Sequence, residues 1–179
     1  MIESILKILH YYKSLGEKTI DALSDEELHL EPGEDVNSIP IIVKHLWGNM
    51  LSRWTNFLTE DGEKEWRKRE EEFESTIKTR EELLEKWNEG WACFLGAIES
   101  LNEDDLEKIV YIRNEGHTVI EAIHRQLAHY SYHIGQMVYL GKIIKQDEWV
   151  SLSIPKGKSE EFNELKFASE KDRKHFTGA

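Results

Sequence analysis

The sequence is poor in cysteine and has no long apolar run, and each shortage excludes a class of protein. The single cysteine, Cys93, cannot form an intramolecular disulfide or build a cysteine-based zinc finger, and it fits a reducing compartment. No run of about 18 apolar residues occurs, so no segment is predicted to cross a bilayer. The first residues alternate apolar and charged side chains, unlike a secretory signal. We therefore expect a cytoplasmic protein.

The sequence also has few positively charged residues relative to its acidic ones. The chain has 23 Lys and Arg against 35 Asp and Glu, a formal charge of −12, which argues against binding to nucleic acid or to an anionic membrane. A glycine-rich phosphate loop and the nucleophile turn of serine hydrolases are absent as well. Aromatic residues are abundant, with six Trp, six Tyr and six Phe among 179 residues, and they favour a folded chain. We predict one domain over residues 1–163 and a C-terminal tail over 164–179.

Helical periodicity dominates the chain. Only three prolines interrupt it, at positions 32, 40 and 155. Capping-box sequences begin at Ser24, Thr79 and Thr118, and Ser38 is predicted to cap the second long helix with Pro40 in its first turn. Apolar residues recur at helical spacing over residues 2–23, 38–59, 79–102 and 118–144. These four segments predict an all-α protein and, more narrowly, a four-helix bundle.

The connections between these helices are predicted to be short or irregular. Short extra turns are expected after the first and third long helices. Residues 63–78, dense in both charge signs, predict a solvated loop with one helical turn. Val110–Arg113 and Asn114–Gly116 predict a short β-like run and a tight turn. Beyond Gln146 the periodicity ends, so we expect an extended C-terminal tail that lies along the bundle.

Two histidines share one face of the fourth long helix. His129 and His133 are four residues apart, about 6 Å along the axis, so both imidazoles can lean toward one point. Such a pair is a plausible two-thirds of a metal site, but alone it is weak evidence, because histidines that are half-exposed or hydrogen-bonded in a core are commoner than ligands. A metal site would need a further ligand from another helix.

The second long helix offers that ligand within a polar row. His45, Asn49 and Arg53 recur every four residues beside the apolar face of the helix. The row either faces solvent or lines a polar site, because burying such groups without partners is costly. Asn49 and Arg53 could also make purely structural hydrogen bonds. If His45 faces the histidine pair, three neutral nitrogens would bind an ion and leave one position open for water.

The residues around these positions resemble a known superfamily. His45–Asn49, Ser52–Leu58 and Gln126–Gln136, taken together, are similar to the DinB/YfiT-like superfamily. More narrowly, Ser151–Gly157 resembles a branch of it that is catalogued as a domain of unknown function. The resemblance implies an up-down-down-up four-helix bundle that commonly forms a homodimer. It also implies a metal triad at positions 45, 129 and 133, which commonly holds nickel or zinc.

The same resemblance implies an activity. Characterised relatives join a low-molecular-weight thiol such as bacillithiol, mycothiol or glutathione to an electrophile, or isomerise maleylpyruvate with mycothiol. An ion held by imidazoles lowers the pKa of a bound thiol, so that the thiolate is available near neutral pH. In this interpretation the three histidines hold the ion, Arg53 pairs with a substrate carboxylate and Asn49 orients a ligand or water.

Two other functions fit the same residues. A metal-dependent hydrolase of small amides or esters would need a general base, and no Glu adjoins His129 or His133. A noncatalytic, dimeric metal-binding stress protein would close its ion with a fourth protein ligand. A cleft that reaches the histidines would therefore favour the catalytic interpretations over the noncatalytic one.

Overall fold

The computed structural model describes residues 1–178, which are mostly helical with one small two-stranded sheet. Within these residues no helix is both long and apolar enough to cross a membrane. The long helices are α1 (Ile2–Ala22), α3 (Ile39–Trp54), α4 (Arg80–Glu99) and α5 (Val119–Lys145). The shorter elements are α2 (Asp25–Leu28), strand β1 (Ile109–Ile112), strand β2 (Glu115–Thr118) and α6 (Ser159–Phe167). The all-α expectation thus fits in its broad form.

Capping residues begin the helices where the sequence predicts them. The side chains of Ser24, Thr79 and Thr118 each accept a hydrogen bond from the backbone N–H three residues on, and the Glu at that position bonds back. Ser38 occupies the predicted N-cap position of α3, with Pro40 in the first turn. Its hydroxyl, however, is buried and has no hydrogen-bond partner within residues 1–178. The fixed backbone angle of Pro40 therefore favours this helix start more than a side-chain cap does.

Helix α3 ends at Trp54, earlier than the predicted Thr59. The next residue is extended, and Asn56 then adopts a left-handed φ of 51°, which asparagine tolerates better than most residues. The chain reverses and places the carbonyl of Gly62 where it accepts a hydrogen bond of 2.8 Å from Ser52 Oγ. This reversal lays the following segment across α3, close to its polar row.

Most of residues 63–78 are exposed, as their charge pattern predicts, but the segment is not solvated throughout. Lys64, Glu72 and Ile77 are buried, and Arg69–Phe73 forms one short 3₁₀ turn against α3. The prediction fails at Glu72 because its carboxylate pairs with Arg67 and with His45 of α3 inside the protein. This pairing offsets part of the desolvation cost of burying the charge.

A β-hairpin separates α4 from α5. The predicted β-like run and tight turn are present, and a second strand, which was not predicted, pairs antiparallel with the first so that Ile112 lies opposite Glu115. Arg113 and Asn114 at the turn have positive φ values of 57° and 62°, typical of a type I′ hairpin. Asp61 accepts hydrogen bonds of 2.8 Å from the backbone N–H groups of both turn residues. The turn is thereby fixed beside the segment that follows α3.

Large apolar side chains from the four long helices form one core. Trp87, Trp91 and Phe94 of α4 and Tyr130 of α5 are almost completely buried. Helix α3 packs chiefly against α4, and α1 packs against α5. The ring of Trp54 at the end of α3 lies 4.6 Å from the ring of Phe94, measured between centroids. This packing fixes the faces of α3 and α5 that carry the predicted site residues.

The sequence predicts an extended C-terminal tail, but the tail contains a helix. Helix α6 crosses the predicted domain boundary after residue 163, and all of its residues are exposed. Glu160 and Glu161 in its first turn and Lys166 in its last match the helix dipole, so local charge favours this helix without burial. Nearer the chain end, the ring of Phe176 contacts that of Tyr11 on α1, with centroids 5.9 Å apart.

Candidate metal centre

Three imidazole rings meet between α3 and α5. The Nε2 atom of His129 lies 3.4 Å from Nε2 of His45 and 3.1 Å from Nε2 of His133. One ring nitrogen from each of these residues lies within 4.8 Å of the other two. The structure thus brings together the three histidines that the sequence singles out, and they could hold a metal ion.

Regular helix geometry accounts for this meeting. His129 and His133 are one turn apart on α5, and both are half-buried. His45 is buried on α3. Two turns beyond it, Arg53 shares a cavity wall with Gln126, which precedes the histidine pair on α5. The two helices therefore run in opposite directions past the site, and their polar rows face each other.

Hydrogen bonds at the outer ring nitrogens fix two of the imidazole tautomers. His45 Nδ1 donates to Glu72 Oε2 at 2.9 Å, and His133 Nδ1 donates to Gln136 Oε1 at 2.7 Å. Because a carboxylate and an amide oxygen can only accept, both Nδ1 atoms carry the proton. The Nε2 atoms of these two rings then present lone pairs toward the third histidine, which is the arrangement a metal ligand requires.

The carboxylate of Glu72 also binds Arg67. Arg67 donates to its two carboxylate oxygens, through Nε at 2.7 Å and Nη2 at 3.0 Å. Burial alone raises the pKa of Glu72, but the hydrogen bonds from His45 and Arg67 outweigh this effect, so the pKa lies below its ordinary value. Gly48 provides the room, because a Cβ at that position would overlap the Glu72 carboxylate. The carboxylate is therefore ionised and confined next to His45.

The surroundings favour neutral imidazoles at the site. Burial, followed by the neighbouring charges of His133 and His45, lowers the pKa of His129 to about 3. Burial also lowers the pKa of His133. His129 and His133 are therefore uncharged near neutral pH, and an uncharged imidazole has one nitrogen lone pair that can bind a metal ion. On the other side of His45, the ring of Phe73 stacks at 5.1 Å between centroids and shields it from solvent.

The two other predicted site residues are placed beside the histidines. Asn49 Oδ1 accepts a hydrogen bond of 3.0 Å from the hydroxyl of Tyr130, which in turn accepts one from Trp54 Nε1. Arg53 donates through Nη1 to the carbonyl of Gly62 and to Glu63 Oε2. Both residues therefore make the structural hydrogen bonds that the sequence analysis left open. Both also line the cavity that contains the histidines.

That cavity is open to solvent and has a volume of about 390 Å³, within the range of small-molecule sites. Its wall includes the three histidines, Asn49 and Gln126. The aromatic part of the lining is Phe73 and Tyr132. The remaining lining residues are all arginines: Arg53, Arg67, Arg69, Arg113 and Arg125. The site is thus a positively charged cleft that leads to neutral imidazoles.

Sequence reasoning missed the groups that orient the histidines. Glu72 stands in the run Glu70–Glu72, where nothing in the sequence distinguishes the buried carboxylate from its exposed neighbours. Arg67 and Phe73 lie in the same irregular segment, which has no periodicity to assign a face. Gln136 could have been found, because it follows His133 by three residues on the same helix and so lies within reach of its ring.

The fold and the site define a mostly helical protein in which three histidines from two helices could hold a metal ion at the end of an open cleft. The chain belongs to a family described as "Protein of unknown function (DUF1572)", whose family model matches residues 1–158. This match agrees with the expectation of a domain of unknown function. No curated protein and no solved structure matches the chain.

Proposed function

We propose that the protein is a divalent-metal-dependent enzyme of the DinB/YfiT-like type that transfers a low-molecular-weight, bacillithiol-like thiol to an electrophilic substrate. The proposal includes the up-down-down-up four-helix bundle and the homodimer of that superfamily. The observation that carries it is the convergence of His45, His129 and His133 with two of their outer nitrogens committed as donors.

The donor set fits nickel or zinc. Neutral imidazole nitrogens suit both ions, and a tetrahedral ion with bonds of about 2.0 Å needs ligand atoms somewhat more than 3 Å apart. The separations of 3.4 Å and 3.1 Å from His129 Nε2 meet that requirement. Within residues 1–178, no fourth His, Cys, Asp or Glu joins the group. This open coordination supports a catalytic ion rather than a closed structural one.

A bound divalent ion would supply Lewis acidity that lowers the pKa of a thiol and makes the thiolate available near neutral pH. The protein's own residues would hold the ion and orient its histidine ligands. Glu72 keeps His45 in the Nδ1-protonated tautomer, and Gln136 does the same for His133. In this proposal Arg53 pairs with a substrate carboxylate and Asn49 orients the ligand through its free amide nitrogen.

Hydrolysis of small amides or esters has less support. The residues that line the cavity include no carboxylate. Glu72, the carboxylate nearest the histidines, is already bound by both His45 and Arg67, and its lowered pKa makes it a weak base. A thiol that ionises against the metal site needs no such base, so thiol transfer is the better fit.

A conjugation assay tests the proposal. Zinc-loaded or nickel-loaded protein is incubated with chlorodinitrobenzene and, in separate reactions, with bacillithiol, mycothiol or glutathione, while nitrophenyl acetate tests for hydrolysis. We expect metal-dependent conjugation with one of the thiols and its loss in His129→Ala. The matched control, His124→Ala, removes an exposed histidine from the same helix and should keep full activity. Metal-dependent ester hydrolysis without conjugation would overturn the proposal.

A further inference from the structure

The distribution of arginine in this chain is strongly uneven. The sequence contains seven arginines and 16 lysines, and five of the arginines but none of the lysines line the cavity of the candidate metal centre. They come from four different segments, namely the end of α3, the irregular segment after it, the hairpin turn and the start of α5. In a protein with a net charge of −12, such a concentration of guanidinium groups runs against the overall charge.

The carboxylates nearby do not neutralise this cluster. Glu72 is occupied by Arg67, and Glu63 is shared by Arg53 and Arg113, which approach the same oxygen at 3.0 Å and 3.2 Å. Asp61, which accepts a hydrogen bond from the backbone N–H of Arg113, also lies near Arg53, so three carboxylates face five guanidinium groups. Even when Glu70, the exposed partner of Arg69, is added, one positive charge remains in excess.

Arg125 is the least committed of the five arginines. Its side chain is exposed at the cavity and forms no salt bridge within residues 1–178. Its hydrogen-bond partner is His117 Nε2 at 3.4 Å, a long contact. Arg125 lies one turn before His129 on α5, and both side chains line the cavity.

One buried donor at this end of the cavity lacks a partner. Arg53 is 8% exposed, and its Nε has no hydrogen-bond partner within residues 1–178, because both of its hydrogen bonds are made by Nη1. The edge formed by Nε and Nη2 is the one that binds a carboxylate or phosphate through two parallel hydrogen bonds. Arg67 uses this same edge on Glu72.

We propose that this end of the cavity is an anion subsite and that the substrate carries a carboxylate or phosphate group bound by Arg53 and Arg125. Arg53 lies two turns from His45, and Arg125 lies one turn from His129, about 12 Å and 6 Å along the respective helices. The ligand therefore has its anionic group several ångströms from the atom that reaches the histidines. The distance between the anionic group and the reacting atom rests on the proposed function, whereas the binding of an anion does not.

Arginine rather than lysine suits this role. A guanidinium presents a rigid, planar pair of donors that matches a carboxylate or phosphate, and it stays charged at any pH the protein experiences. The cavity volume of about 390 Å³ accepts a small organic anion. The anionic group could be a carboxylate or a phosphate, and the experiment below compares the two by using one probe of each kind.

The test is calorimetric titration of the full chain, at low ionic strength, with succinate, inorganic phosphate and the neutral analogue succinamide. We expect succinate or phosphate to bind, succinamide not to bind, and Arg125→Gln to weaken anion binding about tenfold or more. Arg173→Gln, which removes one positive charge from the exposed tail, should leave the affinity unchanged. The tighter of the two anions identifies the source.

A second variant keeps the positive charge at position 53 but removes the paired N–H donors of the guanidinium. Arg53→Lys should weaken anion binding because lysine cannot form the paired hydrogen bonds. Absence of binding by both anions, equal affinity in wild type and Arg125→Gln, or equal binding of succinamide would each overturn the inference. The same titration on His129→Ala separates the two proposals: anion binding that persists while metal binding and thiol transfer are absent supports this subsite independently of the metal.

Discussion

Glu72 accepts a hydrogen bond from His45 Nδ1 at 2.9 Å, although 27 residues and the end of a helix separate the two positions. This contact joins the irregular segment after α3 to the candidate metal centre. It also explains why Glu72 is buried despite its charge, since Arg67 binds the other side of the same carboxylate. The orientation of the His45 ring therefore depends on residues outside the long helices.

Replacing Glu72 should weaken metal binding without removing a ligand. We expect Glu72→Gln to lower the affinity for zinc by about 10- to 100-fold, because an amide holds the His45 tautomer less firmly and leaves Arg67 without its charge partner. Competition with a chelating dye measures this change. Glu71→Gln, at the exposed neighbouring position, should bind zinc like the wild type. An unchanged affinity in Glu72→Gln would mean that the carboxylate does not act on the site.

Gly48 should be intolerant of even one added methyl group. A Cβ there would overlap the carboxylate of Glu72, which Arg67 and His45 hold in place, so Gly48→Ala should destabilise the protein by about 1–3 kcal/mol. Gly96→Ala on α4 is the matched control, because nothing lies within 4 Å of the added atom. That change should stabilise the helix by about 0.5–1 kcal/mol. Urea unfolding of both variants measures the difference, and equal stability would contradict the proposed crowding.

Asp61 should make the stability of the hairpin dependent on pH. Burial raises its pKa, but hydrogen bonds from the backbone of Asn114, Glu63 and Arg113 lower it more, so the folded pKa lies below the ordinary value. A group with a lowered folded pKa stabilises the protein above its unfolded pKa of about 3.9 and loses that contribution as pH falls through the folded value. Asp61→Asn should therefore be less stable at pH 7 by about 1 kcal/mol.

The check for Asp61 is a comparison of unfolding free energies at two pH values. The difference between wild type and Asp61→Asn should be largest near neutral pH and should shrink as the pH falls below about 4. A difference that stays constant across this range would show that the charge on the carboxylate does not hold the turn.

Much of the site could be predicted because it lies on regular helices. The spacing of four residues places His129 beside His133, and it places Asn49 and Arg53 in line with His45. The capping boxes likewise give the helix starts within a residue. In a regular helix each residue is rotated by about 100° from the one before it, and this rotation decides which side chains share a face.

The remainder depends on contacts that only the folded chain creates. Glu72 and Phe73 approach His45 because the chain reverses at Asn56, and no local pattern foretells where that reversal leads. Arg113 reaches the cavity because a hairpin turn is held against Asp61. Charge density predicts solvent exposure for residues 63–78, which holds for most of them, but pairing inside the protein buries Glu72.

The most direct test of the proposed metal centre is elemental analysis of tag-free protein, comparing wild type with His133→Ala and with His124→Ala. A tag would add nickel-binding histidines of its own. We expect about one equivalent of nickel or zinc in wild type and in His124→Ala, and its loss in His133→Ala. Wild-type protein that stays free of metal after incubation with nickel and zinc, or a His133→Ala variant that keeps a full equivalent, would contradict it.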